Sequence, residues 1–284
     1  MGSCGSGDDD ASQPQPFAVL SAFPAELAPH LAHATISSTT VFDGHVFHVG
    51  VLDGVPVVLA LTGIGLVNAA ATTRTLLAHF NVQGVVVSAV AGSSRVPIGS
   101  VAVPTAWTGT DGTTYAAHAA WLAVAGEIAS AGAASLSRCT PVPSASAASV
   151  CLPQDPAIVV GGSGQSSDPF GGKAFPCRPG GGDVYGCDGD AVAAPAAGRM
   201  DRTVTGTGAA ADAPAVSDME TAAIARETAA HNVPFIAFRA VSDGPGDPLG
   251  LATLAEFSAY YPLAAHNAAA VTVAFLQKVT GATP

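Results

Sequence analysis

Five short runs rich in β-branched residues punctuate the chain: FAVLS from residue 17, VPVVLAL from 55, GVVVSAVAG from 84, AIVV from 157 and VPFIAF from 233. Each is too short to cross a membrane, and the continuous apolar character fits strands buried on both faces. Alanine-rich stretches with helical patterning lie between them, at 24–33, 66–80, 118–134 and 218–232, and a last helix is expected over 262–279. Strands alternating with helices imply an α/β fold, a three-layer sandwich around a mixed, mainly parallel sheet with one core. In such sheets ligands collect beyond the carboxyl ends of the strands.

Turn chemistry refines this outline. Residues 45–63 read as two strands about an Asp53–Gly54 turn, and Pro24 suits the first position of a helix. The glycine turn at 63–65 opens a helix whose apolar positions are Val67, Ala71, Leu76 and Phe80, and GSVAVPTAW (99–107) reads as one further strand. The GIG at 63–65 has the spacing of neither a P-loop nor a dinucleotide fingerprint. Residues 1–16 read as a polar, acidic tether, 17–284 as one domain, and about 137–190 as a Gly/Pro/Ser-rich insertion carrying four cysteines.

Only 11% of the residues are charged, and acids outnumber bases by 21 to 10. Lys173 and Lys278 are the only lysines, which argues against a nucleic-acid or anionic-membrane binder. The longest apolar stretch, Val82 to Val103, is broken by Arg95 and Pro97, so no transmembrane helix is expected. Where carboxylates are this scarce, one set between apolar runs has to be solvated, paired or chemically employed.

Cys139, Cys151, Cys177 and Cys187 form no C-x-x-C pair and have no histidine among them, which favours disulfides over zinc. Three pairings are open; the expectation is Cys139 with Cys151 and Cys177 with Cys187. The eight histidines show no metal-binding spacing, and neither a metal nor an organic cofactor is implied. No apolar leader opens the sequence, but Cys4, followed by a small acidic tether, resembles the mature end of a bacterial lipoprotein; an incidental cysteine is the alternative. The first reading, with the disulfides, places the protein outside the cytoplasm, secreted or lipid-anchored to the outer face of the cytoplasmic membrane.

Three acids then draw the eye. Glu26 follows the first strand, Glu220 opens the helix in SDMETAAIA, and Asp243 directly follows the strand ending at 241. All three should stand on the carboxyl edge of the sheet, with Asp218 capping its helix. Singly, each has an ordinary explanation in helix dipoles or turn formation.

Together with LTGIGLVNAAATT, SDMETAAIA, NVPFIAFRAVSDG and SAFPAEL, they resemble the purine nucleoside phosphorylase and 5′-methylthioadenosine/S-adenosylhomocysteine nucleosidase superfamily. The resemblance covers about 17–280, most of 137–190 excepted. It implies that Asp243 donates a proton to purine N7, oriented by Ser242, and that Glu220 holds the ribose 2′- and 3′-hydroxyls with Met219 against the sugar. Glu26 matches the glutamate that activates water. Phe170, in SSDPF, resembles the residue that stacks on the base, a braced loop with an exposed phenylalanine being the alternative, and the Val90 and Ala91 backbone would line the pocket.

The resemblance also separates hydrolysis from phosphorolysis. Its phosphorylases carry arginines near the first strand and an Arg-Gly-Thr type sequence where VSAVAGS stands; this chain has neither. A phosphate dianion needs charge-assisted bonds, and a glutamate in that place favours water. The expected activity is therefore hydrolysis of the N-glycosidic bond of a purine nucleoside, adenosine-, methylthioadenosine- or inosine-like, to base and ribose. A phosphorylase and a non-catalytic exported nucleoside-binding or storage protein are the alternatives. The superfamily's 5′ pocket borrows residues from a neighbouring subunit, and a homodimer is expected.

Overall fold

The computed structural model describes residues 15–141, 149–187 and 216–282. Cys4 and most of the N-terminal tether lie outside them. In chain order the elements are β1 (Phe17–Ser21), α1 (Pro24–His33), β2 (Ala34–Phe42), β3 (His45–Leu52), β4 (Val55–Leu61), α2 (Leu66–His79), β5 (Gly84–Ser93), β6 (Val101–Val103), β7 (Ala106–Thr108) and β8 (Thr114–Ala116). There follow α3 (Ala119–Ala131), β9 (Cys139–Pro141), β10 (Ser149–Cys151), β11 (Ile158–Val160), β12 (Ser163–Ser166), α4 (Gly182–Tyr185), β13 (Val216–Asp218), α5 (Thr221–Ala230), β14 (Phe235–Asp243) and α6 (Thr253–Thr280).

Four of the five apolar runs, as β4, β1, β5 and β14, form a parallel centre in that spatial order. Val19 pairs with Leu59 on one side and Val86 on the other, and Val86 pairs in turn with Ile236; all four are fully buried. Helices cover both faces, so neither face can carry polar residues without a partner. The fold is α/β around a large mixed sheet that is mostly parallel in its core.

At its carboxyl end β5 meets two neighbours. β14 runs beside it in parallel as far as Gly92, while β13 pairs antiparallel with Gly92 and Ser93. β13 therefore carries the chain back toward the level of Val90 before α5 begins. That return places the residues after Asp218 over the carboxyl ends of β1 and β5, where the ligand-binding rule for such sheets looks for a site. β11 and β12, inside the cysteine-bearing segment, pair with β6, β7 and β13 of the main sheet. The two disulfides join Cys139 to Cys151 and Cys177 to Cys187.

Four local features differ from the expectations. GSVAVPTAW is divided at Pro104 into β6 and β7, because proline has no N–H to give the ladder. β2, the Ser/Thr-rich ATISSTTVF, is a largely exposed strand paired along β3, a position where apolar alternation is not required. In α2 the buried face is Ala69, Ala70, Thr72, Thr73, Thr75 and Leu76, and Val67 is exposed. Finally, α6 begins at Thr253 rather than 262 and contains Pro262 within it. Burial of Ala259 and Tyr260 holds the turns before that proline.

Candidate active site

β1 ends in Ser21, and Pro24 then starts α1 with its φ already helical. Glu26, in that first turn, is 1% exposed. Its Oε2 accepts the Ala22 N–H at 2.6 Å and the Phe23 N–H at 3.3 Å, and its Oε1 accepts the Val90 N–H at 2.7 Å. The carboxyl is thus fastened to the ends of both β1 and β5. Burial pushes its pKa up to about 8, against the pull of Arg239 and of the Val90 N–H.

Arg239 lies in the middle of β14, fully enclosed, under the ring of Trp107 at 6.0 Å. Its Nη2 meets Asp218 Oδ2 at 2.8 Å and Glu220 Oε2 at 3.3 Å, its Nη1 donates to the Val90 carbonyl at 2.8 Å, and its Nε donates to Thr221 Oγ1 at 2.9 Å. Burial works against its charge, but Asp218, Glu220 and Glu26 together hold its pKa above the ordinary value. A guanidinium is suited to this place because its planar fork serves several acceptors at once.

Glu220 stands at the N-cap of α5, where the chain has turned back from β13. Its other oxygen accepts the Gly65 N–H at 2.9 Å. Gly65 has φ +97°, and a Cβ there would lie 2.9 Å from the Phe170 ring, so only glycine fits between the glutamate and the phenylalanine. Burial raises the Glu220 carboxyl, with Arg239 opposing. Asp218 accepts the Glu220 and Thr221 N–H groups and the Ser166 and Thr221 hydroxyls as well as Arg239, so it caps α5 and also anchors the arginine.

Asp243 ends β14. The pairing with β5 slips between Val241 and Asp243, a bulge that re-aims the last side chain of the strand. Its Oδ1 accepts the Ser242 hydroxyl at 2.8 Å, and its Oδ2 lies over Gly92, where a Cβ would come within 2.6 Å of it. Phe170 is half-buried, its backbone held by Asp168 and its ring stacked on Phe175 at 4.7 Å. Met219 is half-exposed beside Glu220, and Val90 and Ala91 are buried.

A buried glutamate and a buried arginine thus share Val90, a second glutamate closes on the same arginine, and the aspartate that ends β14 stands beside Gly92, two residues further along β5. With this geometry in view, the matches to known proteins are informative. The family model of the phosphorylase superfamily matches residues 16–277. The chain belongs to that superfamily. An uncharacterized protein of Mycobacterium tuberculosis is 38% identical over 181 residues, 59% of this chain and 74% of the relative.

Among solved structures of the same fold is a 5′-methylthioadenosine/S-adenosylhomocysteine nucleosidase from Neisseria meningitidis in complex with methylthio-immucillin-A. It has a TM-score of 0.64 and 20% identity, covering 93% of this chain and 99% of that one. The futalosine hydrolase of Helicobacter pylori has a TM-score of 0.63 and 18% identity, covering 93% and 97% respectively.

Within this superfamily member, the structure links Glu26, Glu220 and the Val90 backbone in one hydrogen-bonded cluster, and sets Asp243 and Ser242 at the adjoining strand end. Two participants were not singled out from sequence. Arg239 could have been found by asking what neutralises an arginine inside an otherwise apolar strand in a chain so poor in charge. Gly65, read as a turn, also supplies an N–H to Glu220, and nothing in the local sequence signals that role.

Proposed function

We propose that the protein hydrolyses the N-glycosidic bond of purine nucleosides. The observation that carries this reading is the charge arrangement around Arg239. Arg239, the buried cation among the described residues, is already engaged by Asp218 and Glu220, and the fully buried Glu26 lies beside it. One guanidinium against three carboxyls leaves a phosphate dianion no charge to meet, whereas a water needs only a base. The nucleosidases of like fold are consistent with this choice.

Glu26 serves as the base. A carboxyl held near pKa 8 takes a proton readily at neutral pH, and its ionised fraction grows through that value. The water oxygen bonds to C1′ as the C1′–N9 bond breaks, and its proton passes to Glu26. The electron pair leaves with the purine, whose N7 is protonated by the acid form of Asp243. Glu220 accepts the 2′- and 3′-hydroxyls, bonds that tighten as positive charge grows on the ribose. Ser242 orients Asp243, Met219 lies against the sugar, and Phe170 flanks the base.

The test is incubation with adenosine, inosine and 5′-methylthioadenosine in phosphate-free buffer, following free base by chromatography. Base and ribose should appear without phosphate. Base released only when phosphate is added would make the protein a phosphorylase, and nucleoside bound but intact would make it a binding protein.

A further inference from the structure

Two aromatic rings stand behind Phe170 that no step of the hydrolysis employs. The Phe175 ring stacks on Phe170 with centroids 4.7 Å apart and planes 30° from parallel, and Tyr185 of α4 leans on Phe175 at 6.1 Å and 52°. The Cys177–Cys187 bond closes the chain around them, each cysteine lying two residues beyond one of these rings.

This segment is tied to the domain from several directions. Asn68, in the first turn of α2, donates through Nδ2 to the Phe175 carbonyl at 2.6 Å and to the Ile64 carbonyl at 2.9 Å. The Arg178 N–H reaches the Tyr185 carbonyl at 2.7 Å, and the Tyr261 hydroxyl donates to Asp183 at 3.2 Å. Ordering a Gly/Pro-rich loop costs backbone entropy, and here the ordered loop fixes the place of one ring.

Phe170 itself is seated differently. Asp168 accepts its N–H at 3.1 Å and sets the backbone, while the ring meets bare backbone at Gly65, where a Cβ would lie 2.9 Å from Cδ2 and 3.0 Å from Cε2. Gly65 therefore bears on an edge of this ring and gives its N–H to Glu220. With one face on Phe175 and one edge on Gly65, the face left to a flat ligand is the opposite one.

We propose that Phe175, held by the Cys177–Cys187 bond, is a positioning residue that fixes the plane of Phe170 for stacking on the purine. This rests on the nucleosidase reading, in which Phe170 flanks the base. A side chain that has to be immobilised at the moment of binding costs affinity, and one already clamped between a neighbouring ring and a glycine does not. The stack is made alike with the bound nucleoside and with its transition state, so losing the clamp weakens binding and leaves the chemical step alone.

The experiment measures KM and kcat for whichever of adenosine, inosine and 5′-methylthioadenosine the wild type cleaves best. The variants are Phe175→Ala, Phe175→Tyr and Cys177→Ser/Cys187→Ser, each with and without Phe170→Ala. Phe170→Ala alone should raise KM about ten- to hundredfold, the scale of losing one base–aromatic stack. Phe175→Ala and the cysteine variant should each raise KM about three- to tenfold with kcat within about twofold, the scale of ordering one side chain. Phe175→Tyr, which keeps the flat face, should restore the wild-type KM. In the Phe170→Ala background neither change should add to the loss, whereas a residue that merely held the loop together would go on raising KM or lowering kcat there.

If the cysteine variant does not fold, the two Phe175 variants decide. A KM within about twofold of wild type in Phe175→Ala or in a folded cysteine variant, a loss that tyrosine does not restore, or an equal loss with and without Phe170 overturns the positioning role while hydrolysis stands. A wild-type KM in Phe170→Ala takes that ring away from the base, and the positioning role falls with it. No cleavage of any nucleoside by the wild type overturns both readings.

Discussion

Arg239 and Asp243 stand four residues apart on β14, yet their surroundings differ in kind. Arg239 is enclosed, its guanidinium hydrogen-bonded on three nitrogens and paired with two carboxylates. Asp243 is half-exposed, set by a bulge and a serine hydroxyl over the bare Cα of a glycine. The floor of the site is therefore part of the core, and its charges are tied to folding. The rim is placed by backbone shape and one neighbouring hydroxyl. Substitutions on the floor should change stability and activity together, and those on the rim should change activity with the fold intact.

The largest effect is expected at Arg239. Arg239→Met leaves Asp218 and Glu220 buried without their cation, which costs about 3–5 kcal/mol when a buried pair loses one partner. Urea denaturation should show that loss and base release should be undetectable. Adding Asp218→Asn and Glu220→Gln should return part of the stability, because fewer buried charges are left uncompensated, but none of the activity. A folded Arg239→Met protein as stable as the wild type would erase the distinction between floor and rim.

Glu26 is next, and it sharpens the comparison because its two effects have opposite signs. Glu26→Gln should lower kcat/KM by about 10²–10⁴, the usual scale for losing a general base. Its wild-type carboxyl is raised by burial from 4.5 to about 8, so the folded state binds more protons than the unfolded chain between those values. The stability it contributes is fully present below 4.5 and is lost as pH rises through about 8. Unfolding free energies measured across that range should decline for the wild type more steeply than for Glu26→Gln. The activity of the wild type should rise through the same pH, since the ionised base is the working form.

The split between floor and rim also explains what could be read in the sequence. β1, β4, β5 and β14 were legible because a strand covered on both faces must be apolar throughout, a constraint written locally in FAVLS, VPVVLAL and VPFIAF. The acids stood out for the same reason, as rare charges between apolar runs. Arg239 was hidden because its neighbours define the strand and its carboxylate partners arrive from the end of β13 and the start of α5, a placement set by the antiparallel return along β5. The placement of the segment leading into the Cys177–Cys187 loop was beyond reach as well, because it depends on tertiary contacts such as that of Asn68 with the Phe175 carbonyl. β2 escaped because an exposed strand need not alternate.

On the rim, Asp243→Asn should reduce purine release by about 10²-fold, since the amide cannot protonate N7. Its unfolding free energy should stay within about 0.5 kcal/mol of wild type, because the side chain is half-exposed and the amide oxygen can still accept the Ser242 hydroxyl. A stability loss comparable to that of Arg239→Met would place Asp243 with the floor.

Gly92→Ala should have the smallest effect, and it tests whether the rim is set by shape. The added Cβ would come within 2.6 Å of Asp243 Oδ2, too close for the carboxyl to stay where the bulge puts it. The side chain can swing outward because it is half-exposed, so stability should change little while the proton donor moves away from the base. A displacement of this order should cost about tenfold in kcat/KM. If that loss acts only through Asp243, Gly92→Ala should add nothing in an Asp243→Asn background, a coupling that a double-mutant cycle reads directly. Additive losses would mean that the β5 end shapes the cleft in its own right, through the Val90 and Ala91 backbone that runs up to Gly92, and that floor and rim are joined along β5 rather than separate.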